Sequence, residues 1–260
     1  MTVCFLSFDK ILSRVLKWEH SLNIYKVLLD KYGEKESEKK PLIKEYETAN
    51  RKGKGELLRD SARKVRKRGL TQYEGYDWED ILSELIFERT NRKWRNIVFG
   101  HTDNEEDLYP LLRRYLKSEK GFEIHPTYDF KKERWPDLYG VRWGRLWGKR
   151  TIAVDAKVSY NQFGRFLDQA TNFVKYSHEV YLGATPGLVA EIGAVLDGIA
   201  TSEEMLVEKL RRVSAGAIVV DMTDREIVKK IDTGESGLLD KQHLDRRLRI
   251  LYPRVRTSMS

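Results

Sequence analysis

Cys4 is the only cysteine in 260 residues. A lone thiol excludes an internal disulfide and a cysteine-built zinc centre, and the expected compartment is intracellular, that is cytoplasmic. Long apolar runs are equally lacking, since no stretch approaches the roughly 18 residues that a membrane-spanning helix needs. With a mean hydropathy of -0.58 and 34% charged residues, an integral membrane protein is not expected. Met1 to Leu12 has an apolar patch, but Asp9 and Lys10 interrupt it and no small-residue cleavage site follows, so it does not read as a secretory signal. The five histidines are scattered, with no pair at zinc-ligand spacing, and His125 reads as structural. There is no internal repeat and no low-complexity tract.

What is present in excess is positive charge. A formal net charge of +8 and a pI near 9.3 predict attraction to a polyanion and point to nucleic acid as the partner. The cations crowd in Arg59–Leu70, where Arg63, Lys64, Arg66, Lys67 and Arg68 form either a phosphate-gripping surface or an ordinary solvated helix face. Around this segment, Ile11–Tyr32 and Asp77–Phe99 carry apolar residues at helical spacing, while residues 33–55 read as a charged connector. Residues 1–100 are thus expected to form a basic helical domain for nucleic-acid or partner binding.

The chemistry concentrates further on. Thr151-Ile-Ala-Val-Asp-Ala-Lys-Val158 alternates as a strand, with Ile152, Val154 and Val158 on a core-facing side and Asp155 beside Lys157 on the other. Pro136-Asp137 lies upstream. Hydrolysing a phosphodiester needs a hard cation held by carboxylates and positive charge near the attacking water. Asp137 and Asp155 have the donors for the cation, and Lys157 has the charge for the water and the transition state. Both Asp155 and Lys157 are expected to face a solvent-accessible site. The plain alternative is an ion pair on an edge strand.

Residues Trp135–Val158 resemble the PD-(D/E)XK nuclease superfamily, which has the restriction-endonuclease-like fold. The resemblance extends from about residue 100 to 222: a helix at Glu105–Leu116, a strand at Gly121–His125, the Asp137 and Asp155 strands, a helix at Phe166–Val174, and strands at Glu179–Ala184 and Ala215–Asp221. It implies an α/β fold, a mixed central sheet flanked by helices, with elements in the order α, β, β, β, α, β. Residues 101–222 would be the nuclease core and 223–260 a helical, basic extension. It also implies a Mg2+ or Mn2+ cofactor, and a helix acid that completes the metal site with Asp137 and Asp155. Glu105 fits best, because it extends the face of Leu108 and Leu112, with Glu106 left open. Gln169 is a candidate accessory residue, although Phe173 stands where RecB-type members have tyrosine.

A second basic surface is expected from Arg142, Arg145, Lys149 and Arg150, interleaved with Trp143 and Trp147. Gly144 and Gly148 point to a hairpin between the Asp137 and Asp155 strands, which would set these residues near one end of the site. Trp135 reads as packing. The sequence therefore predicts a metal-dependent nuclease, most simply an endonuclease, that cuts DNA. RNA as substrate, a homodimer or larger nuclease complex of the transposition or defence type, and a non-cutting nucleic-acid-binding or assembly protein on the same fold stay open.

Overall fold

The computed structural model describes residues 6–18, 21–70, 77–89, 91–127, 135–144, 148–195, 202–232 and 238–252. It begins with helices α1 (Phe8–Val15), α2 (Ser21–Lys31), α3 (Glu36–Thr48), α4 (Arg51–Lys67), α5 (Trp78–Arg89) and α6 (Arg92–Val98). These bury a common core that includes Val15, Ile24, Leu28, Leu58, Val65, Ile81 and Leu85. In α4 the buried residues Leu58, Ala62 and Val65 recur at helical spacing, which leaves the cations on the opposite face.

The charged stretch 33–55 is not a connector, because α3 and the start of α4 occupy it. The sequence conceals this: α3 buries only Tyr46, so it has almost no apolar stripe to read. It is held by tertiary contacts, with Tyr46 stacked on Tyr25 of α2 at 4.5 Å and Lys39 paired to Asp30 at 2.6 Å. The Asp77–Phe99 pattern divides at Asn91, whose side chain caps α6 by accepting from the backbone N–H of Trp94.

The second half is built on strands β1 (Glu123–Pro126), β2 (Leu138–Gly144), β3 (Gly148–Ala156), β4 (Glu179–Ala184), β5 (Gly216–Asp221) and β6 (Glu226–Ile231). They form one sheet in the order β1-β2-β3-β4-β5-β6. β1–β2 and β2–β3 pair antiparallel, β3–β4 and β4–β5 pair in parallel, and β6 returns antiparallel. A parallel pair needs a crossover. Helix α8 (Tyr160–Phe173) supplies the one between β3 and β4, while α9 (Pro186–Val195) and α10 (Ser202–Arg212) lie between β4 and β5. The stretch from 223 onward, expected as a helical extension, opens with β6 before α11 (Lys241–Leu251); the solvent-facing charges of this edge strand obscured its pattern.

Alternation along the strands serves two cores. Tyr139, Val141, Ala153, Leu182 and Val219 pack with α8 to α11 on one face. Leu138, Ile152, Val154, Ala156, Tyr181 and Ile218 pack on the other beneath α7 (Tyr109–Ser118), which contributes Leu111, Leu112 and Leu116. The chain is therefore α/β, with a mixed six-stranded sheet flanked by helices. No helix among the described residues is long and apolar enough to cross a membrane.

The helical part is clamped to the sheet by charge. Arg14 of α1 donates to Asp221 at 2.6 Å and to the carbonyl of Val98 at 3.1 Å, and Lys10 lies 3.0, 2.6 and 2.7 Å from Asp221, Asp224 and Glu226. Gly100 makes the approach possible: its φ is +58°, and a Cβ there would sit 2.2 Å from Asp221 Oδ1. Asp221 is fully buried, so removing Arg14 leaves its charge to the partly exposed Lys10 alone. Arg14→Ala is expected to cost about 3 kcal/mol, measured as a fall in the urea midpoint; a change within about 0.5 kcal/mol, the size typical of surface substitutions, would contradict the clamp.

Candidate active site

Four side chains from three separate parts of the chain converge at one end of the sheet. β2 and β3 pair Leu138 with Val154, so one step further along the register sets Asp137 opposite Asp155. Asp137 Oδ2 accepts from the backbone N–H of Ala156 at 2.8 Å, which fixes it there. Lys157 lies just past β3 and extends the ladder to β4 through its own N–H, which donates to Gly183 O at 2.9 Å.

Gly183 also admits the fourth group. A Cβ at this position would come 2.7 Å from Leu112 Cδ1, so the missing side chain lets α7 lie close on the sheet. The 3-10 turn Glu105–Asp107 leads into α7 and brings Glu105 over the lysine. Of the three adjacent acids, Asp107 accepts from Thr102 Oγ1 at 2.6 Å within its own loop, and Glu106 is exposed. Glu105 alone of the three is paired with Lys157.

Lys157 Nζ lies 2.8 Å from Asp155 Oδ2, 3.8 Å from Glu105 Oε2 and 3.9 Å from Asp137 Oδ2. Its hydrogen bond goes to its neighbour's carbonyl, Ala156 O, at 2.7 Å. Asp155 Oδ2, although in contact with the ammonium, is buried and accepts no hydrogen bond. Three carboxylates thus face one cation, with one buried oxygen left over.

The surplus of negative charge is visible in the protonation equilibria. Burial pushes Asp155 up to about 7 against the pull of Lys157, with Asp137 adding to the rise. Burial also raises Glu105, opposed by Lys157. Burial acts to lower Lys157, but Asp155, Asp137 and Glu105 outweigh it and leave it above its ordinary value. Acid and amine both hold their protons more tightly than usual, which is what an uncompensated negative charge in a dry site produces.

The site is deeper than the sequence indicated. Asp155 and Lys157 are 3% and 6% exposed, because β3 lies between β2 and β4 with both faces covered; the same fact removes the edge-strand alternative. Glu105 and Asp137 are the more open pair, at 24% and 16% side-chain exposure.

Two neighbours escaped sequence reasoning. Tyr109 hydrogen-bonds Asp137, and burial together with Asp137 and Glu105 holds its hydroxyl protonated. Gln162, in the first turn of α8, accepts from Val158 N–H and Ser159 Oγ, both at 3.1 Å, and favours the charged form of Glu105. Ser159-x-x-Gln162 is a helix-start signature, and that was the available signal. Gln169 lies two turns further along α8, with its buried Oε1 accepting no hydrogen bond.

The hairpin cations are elsewhere. β2 and β3 do form a hairpin, pairing Arg142 with Arg150 and Gly144 with Gly148, but Asp137 and Asp155 lie at its open end and these cations near its tip. Arg150 is five residues from Asp155, roughly 17 Å along a strand. Each is also engaged: Arg142 donates to Lys120 O and covers the Phe122 ring, Lys149 pairs with Asp245, and Arg150 pairs with Glu179. Arg145 and Trp147 fall outside the described residues. Trp135 is packed against Tyr139 and beneath Arg247, and His125 is bound to Tyr252 at 2.6 Å.

Searches with the chain find no matching family model, no matching curated protein and no matching solved structure.

As a cation site, the donor set is of the right kind: hard carboxylate oxygens, one of them buried and held by the Lys157 ammonium alone. Glu105, Asp137 and Asp155 do not all bring an oxygen within 4.8 Å of one another; among the described residues that spacing is met by Asp221, Asp224 and Glu226. The latter trio is already neutralised by Lys10 and Arg14, which argues against it as a metal centre. At the Lys157 site, Asp137 raises the proton affinity of Asp155, and Glu105 approaches the lysine as closely as Asp137 does.

Proposed function

We propose that this chain is a metal-dependent nuclease of the PD-(D/E)XK type, hydrolysing DNA phosphodiester bonds with an activated water. The observation that carries the reading is the convergence of Glu105, Asp137 and Asp155 on Lys157. Support comes also from the order of elements, helix α7, three antiparallel strands, helix α8 and a parallel strand, which is the order the resemblance implies. Asp137 and Asp155 are assigned as direct ligands of Mg2+ or Mn2+, and Glu105 as a ligand acting through water or after rotating inward. When bound, the ion supplies Lewis-acid charge to the phosphate and lowers the pKa of the attacking water. Lys157 stays protonated and stabilises negative charge as it grows on the phosphate. Tyr109 orients Asp137, and Gln162 steadies Glu105.

The competing reading is a structural ion cluster, favoured by the low exposure of Asp155 and Lys157. The two readings part on a single experiment: purified protein with single-stranded, duplex, flap and junction DNA and with RNA, in Mg2+, Mn2+, Ca2+ or EDTA. Cleavage is expected in Mg2+ or Mn2+ and none in EDTA, with Ca2+ supporting binding better than cutting because of its looser geometry. Undiminished cleavage in EDTA, or none with any substrate and metal, would refute the proposal.

The basic face of α4 is assigned to backbone binding in a narrower form than the sequence indicated. Arg63 pairs with Asp60 and lies over the Trp78 ring, Lys64 lies over Tyr32, and the Arg68 guanidinium lies against Gly33. Arg66 and Lys67 are exposed and have no partner among the described residues. Replacing these two with glutamine should flatten the plot of log affinity against log salt by about 0.9 per lost phosphate contact on duplex DNA. Turnover at saturating DNA should hardly change. An unaltered slope would return this face to the role of a solvated helix surface.

A further inference from the structure

A cleft of about 420 Å³ opens beside the carboxylate cluster, between the helical part and the sheet. Arg92 and Arg95 of α6 line one wall, His101 lies in the loop that follows α6, and Ser159 and Gln162 at the start of α8 line the other. Gln162 belongs to both places, since its amide faces Glu105 while its carbonyl oxygen holds Val158 and Ser159. Whatever fills the cleft therefore touches Gln162, which in turn contacts Glu105 of the cluster.

The volume selects the occupant. It falls in the range of small-ligand pockets, about 300 to 1,000 Å³, which suits one nucleotide with its phosphate and is far too small for a duplex. The chemistry agrees. Arg92 gives only Nε to Asp103, at 2.8 Å, and its two terminal nitrogens have no partner among the described residues; a guanidinium fork of this kind matches a phosphate. The acids of the cleft are engaged, Asp103 by Arg92 and Glu191 by the Tyr160 N–H at 3.2 Å. His101 is bound through Nδ1 to Thr185 Oγ1 at 2.5 Å, which sets a flat ring in the lining.

We propose that this cleft is a subsite for one nucleotide unit of a DNA strand, the unit next to the bond being cut, with Arg92 on its phosphate, so that the protein prefers an unpaired or terminal strand to an uninterrupted duplex. The word "next" rests on the nuclease reading; the binding itself does not, and it can be measured without cleavage. Full-length Asp155→Asn protein is titrated with a fluorescent single-stranded oligonucleotide, the same sequence as duplex, a single-stranded RNA, a nucleoside 5′-monophosphate and inorganic phosphate, with and without Arg92→Glu. The Arg92 side chain is exposed, and a thermal melt verifies folding of the variant. The single DNA strand should bind at least about tenfold more tightly than the duplex, and the mononucleotide should compete with it better than phosphate does. Arg92→Glu should abolish both effects. Equal binding of single and double strands, or a folded Arg92→Glu protein with unchanged single-strand affinity, would overturn the subsite even if wild type cuts DNA. A subsite that binds as expected in a chain that cuts nothing would instead refute the nuclease reading. Tighter binding of RNA than of the DNA strand would overturn the assignment to DNA.

Discussion

Asp155→Asn is expected to reduce cleavage by about 10²- to 10³-fold or more, the usual consequence of losing one preorganised charged group in an active site, while leaving the fold at least as stable at pH 8. The second half of this expectation follows from burial. Asp155 rises from an ordinary 3.8 to about 7 in the folded protein, so folding favours its protonated form. The stabilisation from that uptake is complete below pH 4, fades as pH rises through 7, and leaves a buried anion at pH 8. Asparagine removes the anion and keeps the shape. Thermal melts without divalent ions should put the variant at or above wild type at pH 8, with its advantage shrinking toward pH 4. Wild-type cleavage rates from the purified variant would eliminate Asp155 from the chemistry. A large drop in melting temperature at pH 8 would show that the carboxylate is a structural counter-ion to Lys157.

Lys157→Met should behave in the opposite way. It removes the one cation from among Glu105, Asp137 and Asp155, and breaking a buried ion cluster from the side of its only positive member costs about 3 to 5 kcal/mol. Metal-free Lys157→Met protein should therefore melt well below wild type. Mg2+ or Mn2+ should restore much of the loss, because an ion bound only by the folded state stabilises it in proportion to its occupancy. Cleavage should stay low, since the ion replaces the neutralising charge of the lysine and not its place beside the phosphate. This readout is independent of turnover. Destabilisation with no recovery in either ion would mean that the three carboxylates do not hold a metal.

Much of the second half of the chain was legible because strands declare themselves locally. The alternation in Thr151–Val158, the run Glu179–Ala184 and the glycines at 144 and 148 each act over a few residues, and β3, β4 and the hairpin turn follow from them. So did the placement of Asp155 beside Lys157, since the two-residue period of a strand is a property of the backbone itself. The helical N-terminal part followed from such local patterns, whereas the α/β class was an expectation that the resemblance carried.

What local pattern could not carry was depth, angle and partnership. Whether Asp155 was exposed depended on β3 having a neighbour on each side and helices on both faces. The helix face already favoured Glu105, but its pairing with Lys157 depended on how closely α7 lies on β4, which the absence of a side chain at Gly183 permits. Arg142, Lys149 and Arg150 were expected near the site but lie toward the hairpin's tip, away from Asp137 and Asp155, because a turn glycine marks where a chain reverses and not which end of the strands carries the chemistry. Helix α3 and strand β6 were missed for a related reason: each buries little, and their stability comes from neighbours such as Tyr25, Asp30 and β5. The sequence by itself determined which carboxylates and which lysine stand at suggestive spacing and the strand that carries two of them. Only the tertiary structure decided that three carboxylates share one lysine in a dry site beside an arginine-lined cleft, because burial and convergence are properties of packing between elements distant in sequence.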